Sequence, residues 1–331
     1  MTECGTVDVL RGGLIESRHA FHAVVADGSG RSLMTLGSAS VPTFTRSAIK
    51  PLQASAVAAD GAFDAFDMGS DMVALACASH GGEEDHVALA RAMLSRVGAS
   101  VEDLACGPHE PMYAPAARAL AGSGTAPGRL HNNCSGKHAA MLALAAHLGT
   151  GLEGYHRADH PVQRRMGEEL CRWAGLDADA LETGVDGCGA ATFRVPLAAL
   201  AIAFARWSVA EGPPARVRAA IASHPRLLAG TGRLCTAIVR ETRGSVLAKV
   251  GAEGVYCACV PERGLGVALK VGDGARRAAE AALVALLEAH GALGADQAAR
   301  LGAAAAPPVL NTRGETVGGV VVRMPAGVGA P

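Results

Sequence analysis

Four short segments hold residues whose types and spacing could do chemistry. In Arg46-Ser47-Ala48-Ile49-Lys50 a serine and a lysine stand three residues apart. At helical spacing their side chains share a face. A serine hydroxyl is a weak nucleophile until a base takes its proton, and a desolvated lysine amine is one such base. Arg46 adds positive charge, which favours the neutral amine. The same spacing also arises by chance on solvated helix faces, so alone it does not establish catalysis. In Cys77-Ala78-Ser79-His80-Gly81-Gly82 a turn of small residues follows the apolar stretch 72–76. Such a turn can present a hydroxyl into a cleft; its plain alternative is an N-cap for a helix over 83–91. Lys249-Val250-Gly251 sets a lysine at the end of an extended stretch, where an ordinary solvated charge is the default. The fourth constellation is Asn132-Asn133-Cys134-Ser135-Gly136-Lys137-His138 with the later Asp186-Gly187-Cys188-Gly189. Two thiolates and a nitrogen suit a tetrahedral zinc ion with one position left for water. Lysine must first lose a proton, and His138 and His131 are more conventional ligands. The alternative is a tight loop with buried thiols.

The elements that must position these residues follow from periodicity and turn chemistry. His19 to Val25 reads as extended, Asp27 to Gly30 as a turn, and Ser32 to Leu36 as a returning strand. After Pro42 the pattern turns helical, with Ile49, Leu52, Ala56 and Ala59 at helix spacing. Helices broken by glycine-rich loops run to about residue 230. One is expected to start at an Asp159 cap with Pro161 in its first turn and to end at Gly175; another opens at Ser223 and Pro225 and stops at Gly230. Strands are expected over 246–250, 255–260 and 265–271, a helix over 276–290, and an edge strand over 318–323. Cys257 and Cys259 share a strand face and read as core. The expectation is an α+β chain of one domain. An antiparallel sheet is built from both chain ends, about 1–45 and 235–331, with a helical part over about 46–234.

Composition narrows the function classes. Of 331 residues, 50% are hydrophobic and 18% charged, a globular balance. Net charge is −1 and aromatic residues are 3%. That leaves neither a basic field for nucleic acid or an anionic membrane nor stacking platforms for bases. A small, weakly charged substrate is the better match. The N-terminus lacks the basic and apolar regions of a signal peptide, and no apolar run reaches membrane-spanning length, so a cytoplasmic location is expected. Nine irregularly spaced cysteines fit thiols rather than a disulfide framework.

Read together, TRSAIKPLQ, ALACASHGGEEDH, NNCSGKHAAMLA, GYHRADHPVQ, TGVDGCGAATFRVPL and GRLCTAIVR resemble the Rhizobium-type (class 3) L-asparaginases. The resemblance runs in order from about residue 8 to 323. It implies a serine β-lactamase/penicillin-binding-like fold, a homodimer, and hydrolysis of L-asparagine to L-aspartate and ammonia. It implies two serine–lysine tandems, here Ser47 with Lys50 and Ser79 with Lys249. It further implies one zinc per chain, held by Cys134, Lys137, Cys188 and water, supporting substrate binding rather than chemistry. Asp186 matches an acidic residue beside that site; with Arg46 and His80 it is expected to hold substrate. The stretch Gly189 to Thr192 lacks proline, a local departure that bears on the substrate loop. Rival readings are a β-lactamase-like or esterase hydrolase, a glutaminase-asparaginase, and a zinc-dependent binding module. The first expects an intact K-S/T-G triplet, which Val250 breaks, and no metal site. The last leaves the two serine environments without purpose.

Overall fold

In the computed structural model, which describes residues 2–325, the chain divides into two units. Among the described residues, the sheet unit takes 2–48, 195–209 and 241–325; the helical unit takes 49–194 and 210–240.

The sheet unit contains β1 (Gly5–Arg11), β2 (Leu14–Asp27), β3 (Ser32–Leu36) and the short β4 (Pro42–Phe44). The helical unit contributes β5 (Glu182–Val185), and β6 (Ala191–Pro196) lies at the boundary. The sheet unit resumes with β7 (Leu247–Val250), β8 (Val255–Val260), β9 (Leu265–Val271), β10 (Val309–Leu310) and β11 (Thr316–Arg323). Its sheet runs β10-β11-β1-β2-β9-β8-β7, with β3 also paired to β2. The pairings described, β1 with β2 and β11, β2 with β9, β9 with β8 and β8 with β7, are all antiparallel. Both chain ends therefore build one sheet, as expected. The 318–323 stretch pairs with β1 on one side, and the two-residue β10 meets β11 only at Thr316 and Gly318, so most of the stretch lies at the edge as expected.

The helices, in chain order, are α1 (Lys50–Ala59), α2 (Ala62–Ala65), α3 (Ser70–Ala76), α4 (Glu84–Val97), α5 (Ala114–Gly122), α6 (Ser135–Leu148) and α7 (Pro161–Ala174). They continue with α8 (Leu197–Val209), α9 (Pro213–Ser223), α10 (Pro225–Ala229), α11 (Leu234–Glu241), α12 (Arg276–Ala289) and α13 (Ala295–Ala305). Helix α8 lies within the range read from sequence as the helical part, yet it packs on β2, β8 and β9. Strands β8 and β9 are buried along nearly their whole length, so both faces are covered; α8 and α12 both pack on them. Gly266 permits the close approach of α8. A Cβ there would lie 2.0 Å from the Ala201 carbonyl oxygen and 2.4 Å from the Ala205 nitrogen. Cys257 and Cys259 are fully buried in this core.

Three local expectations are corrected. The cap of α7 is His160, not Asp159: Pro161 occupies the first turn, and the His160 Nδ1 accepts from the Val162 N–H at 3.2 Å. Helix α10 starts after His224, with Ser223 closing α9. The middle region also holds a hairpin, β5 paired with β6, around Asp186 to Gly189.

Candidate functional site

Ser47 lies in a 3-10 turn, Arg46–Ile49, and Lys50 is the first residue of α1. Three residues per turn align positions i and i+3, so the turn keeps the spacing that drew attention to the pair. Pro51 fits the first helical turn, where a missing N–H costs nothing. Arg46 adopts φ 46°, a left-handed conformation that a side chain rarely takes. Ser47 is half-buried, while Lys50 is fully buried.

Within the helical unit Lys50 Nζ donates to the Ala78 carbonyl, to Ser79 Oγ at 3.1 Å and to Cys134 Sγ at 3.1 Å. An ammonium has three donors, and these three acceptors match them. A neutral amine in the same place keeps two donors and turns a lone pair toward one hydroxyl. Ser79 is therefore bonded to Lys50, a pairing that crosses the two tandems expected from the sequence. Lys249 is buried in β7 opposite Cys257, and its Nζ donates to the Val250 carbonyl at 2.9 Å. It is not the solvated charge that a strand end suggests.

The turn after α3 is fixed from several sides. Ser79 N–H donates to the Leu228 carbonyl at 3.1 Å, His80 N–H to Asn133 at 3.1 Å, and Tyr113 N–H to Gly81 at 2.9 Å. His80 is fully buried. Its Nδ1 accepts from Gly82 N–H at 3.1 Å, so Nε2 carries the proton and donates to Ser135 Oγ at 2.9 Å; Ser135 in turn donates to Leu130 O at 3.0 Å. Burial holds this imidazole well below its ordinary pKa, helped by His86 and Lys50. With both nitrogens committed inside the protein, His80 braces the turn.

Helix α6 carries the next group. Gly136 lets it run against the end of α3, since a Cβ would lie 2.4 Å from the Leu75 carbonyl oxygen. Asn132 Oδ1 accepts from Cys134 N–H at 3.0 Å, shaping the entry to the helix. Lys137 Nζ donates to Cys188 Sγ at 3.0 Å, and the Cys134 thiol hydrogen-bonds the same sulfur. That bond from Cys134, with the Lys137 ammonium acting against burial, draws Cys188 down to about 4. Cys134 is pushed up to about 12 by its bond to Cys188 and by burial. Lys137 is raised despite burial by the sulfurs of Cys188 and Cys134 and by Asp186. These contacts thus favour the charged forms of Cys188 and Lys137. Cys188 sits in the β5–β6 turn, where Asp186 N–H donates to Ala190 O at 2.8 Å and Gly189 takes φ 85°.

Two sulfurs and a nitrogen held within hydrogen-bonding reach of one another are a donor set that fits zinc once their protons leave. Among the described residues no group of three or more His, Cys, Asp or Glu side chains could hold a metal. The trio contains a lysine and falls outside that description. His138, the conventional ligand weighed from sequence, is hydrogen-bonded at Nδ1 to the Tyr155 hydroxyl at 2.6 Å. The sequence reading missed Ser135, Tyr155 and Glu83. Each lies inside a segment that carries the resemblance, Ser135 in NNCSGKHAAMLA, Tyr155 in GYHRADHPVQ and Glu83 in ALACASHGGEEDH, but none had a spacing that marked it out.

The family model described as L-asparaginase II matches residues 7–322. The chain belongs to the L-asparaginase II family. The match spans nearly the whole chain, bears out the resemblance read from its segments, and makes the protein an enzyme with L-asparaginase activity, acting on the small molecule asparagine. No curated protein matches the chain. No helix of the described residues is long and apolar enough to cross a membrane.

Proposed function

We propose that this L-asparaginase works by acyl transfer through serine, with lysine as the base, on a β-lactamase/penicillin-binding-like fold in a cytoplasmic homodimer. The observation that carries the mechanism is the buried Lys50 amine hydrogen-bonded to the Ser79 hydroxyl. Ser47, three residues before Lys50 and the more accessible serine, attacks the side-chain amide carbon of asparagine. Its proton passes to neutral Lys50, directly or by way of Ser79. Ammonia leaves with a proton, and a β-aspartyl ester remains on serine. Water then attacks the ester carbon, loses its proton to the same relay, and releases aspartate. Lys249, paired with Ser79 by the resemblance, assists that second half. Arg46 and Asp186 serve the charged ends of the amino acid. The direct test adds hydroxylamine during turnover. A serine ester partitions to β-aspartyl hydroxamate at the expense of aspartate, and no hydroxamate at any concentration argues against the ester.

Cys134, Lys137 and Cys188 would hold zinc, which supplies a positive centre for binding substrate. Purified enzyme is expected to contain about one zinc per chain by elemental analysis. Cys188→Ser should lower the metal content and raise KM more than it lowers kcat. Full zinc with unchanged KM in that variant would make the sulfurs ordinary buried thiols.

Glutamine should be a poor substrate. With the α-amino and α-carboxyl groups anchored, its extra methylene displaces the scissile carbon from the serine. A tolerant pocket discriminates only about 10–200-fold, and misplaced reacting atoms add to that. Comparable kcat/KM for the two amides would instead favour a glutaminase-asparaginase.

A further inference from the structure

The mechanism above makes no use of Glu83, yet its carboxylate is nearly buried and engaged at both oxygens. Thr231 N–H donates to Oε1 at 2.8 Å, the Thr231 hydroxyl donates to Oε2 at 2.7 Å, and Arg226 Nη1 reaches Oε2 at 3.2 Å. Arg226 also pairs with Asp85. The side chain is only 10% exposed, so these charge-assisted bonds offset its desolvation. The loop it grips is shaped for the contact. Gly230 takes φ 107°, and a Cβ there would lie 2.4 Å from Glu83 Oε1 and 3.3 Å from Gly81 N.

The gripped loop is the one that touches the serine turn. Leu228, three residues before Thr231, gives its carbonyl to the Ser79 N–H. Glu83 itself stands four residues after Ser79 and immediately before α4. The carboxylate thereby closes a ring of contacts: Ser79 backbone to Leu228, along the chain to Thr231, across to Glu83, and back along the chain to Ser79. Cutting the ring at Glu83 frees the loop to move and with it the backbone that orients the Ser79 hydroxyl toward Lys50.

We propose that Glu83 is a positioning residue for Ser79, acting through the Leu228–Thr231 loop. The inference rests on Ser79 belonging to the catalytic relay. Displacing a reacting group by about 1 Å costs on the order of 100-fold in rate, so Glu83→Ala should lower kcat by about that factor with KM little changed. Glu83→Gln, which keeps the acceptor for Thr231 N–H, should recover a large part. In a Ser79→Ala background, Glu83→Ala should cause no further loss, because both changes disable one relay. A merely structural clamp would lower the melting temperature and leave kcat of the folded enzyme unchanged. That outcome, or the same fold-loss in both backgrounds, overturns the proposal. If Glu83→Ala does not fold, Thr231→Val deletes the hydroxyl bond alone and should lower kcat in the same direction; an unchanged kcat there also overturns it. Full activity in Ser79→Ala would instead remove Ser79 from the relay, and the assignment of Glu83 with it.

Discussion

Ser47→Ala should abolish asparagine hydrolysis while the protein stays folded. The residue is half-buried and its side chain is small, so its hydroxyl can be removed with little effect on stability. Loss of an assisting hydroxyl costs about 10-fold, near 1.4 kcal/mol of barrier. Loss of a nucleophile costs far more, on the order of 10⁴-fold or greater in serine hydrolases. The magnitude therefore decides the role. A purified variant with an unchanged melting curve that retains a tenth of wild-type kcat would exclude Ser47 as the nucleophile. Ser79, already bonded to Lys50, would then be the serine to test.

Lys50→Met should be impaired nearly as deeply. General-base assistance contributes about 10²–10⁴-fold, and this lysine is also the common donor to Ala78, Ser79 and Cys134. Methionine fills much of the same volume but leaves those acceptors without their donor. Leaving a buried acceptor unpaired costs about 1–3 kcal/mol, so a fall in melting temperature is expected alongside the loss of rate. The two effects separate by measuring kcat well below the variant's own transition. A folded Lys50→Met enzyme within about 10-fold of wild type would rule out Lys50 as the base, since that is less than base catalysis is worth.

The sheet was legible because its strands carry their own signals. Runs such as Val255–Val260 and Leu265–Val271 are apolar and bounded by turns, and they emerge where expected. The β5–β6 hairpin was missed although Ala191–Pro196 alternates in burial only weakly and sits among helices. Its turn glycines read as loop, and pairing between short strands is decided by tertiary contact rather than local propensity. Helix α8 was assigned to the wrong neighbourhood for a similar reason: a helix pattern reveals a buried face but not which partner buries it. At the candidate site, residue types were readable and partners were not. The spacing of Ser47 and Lys50 said nothing of the bond from Lys50 to Ser79. His80 looked available because its sequence context hides the Gly82 and Ser135 contacts that consume both nitrogens. Glu83 looked like a helix-start residue and proved to be tied to Thr231.

That tie has a kinetic side. Glu83 and Thr231 are 148 residues apart in sequence, and Lys50 and Cys134 are 84 apart. Contacts of such separation form only after long loops have closed, and loop closure is paid before those contacts reward it. The helices can form locally, whereas the arrangement around Ser79 exists only when segments from across the chain have docked. Catalytic competence is thus a late event in the life of a newly made chain, and a chain halted before residue 228 would carry Ser47, Lys50 and Ser79 without the frame that aims them.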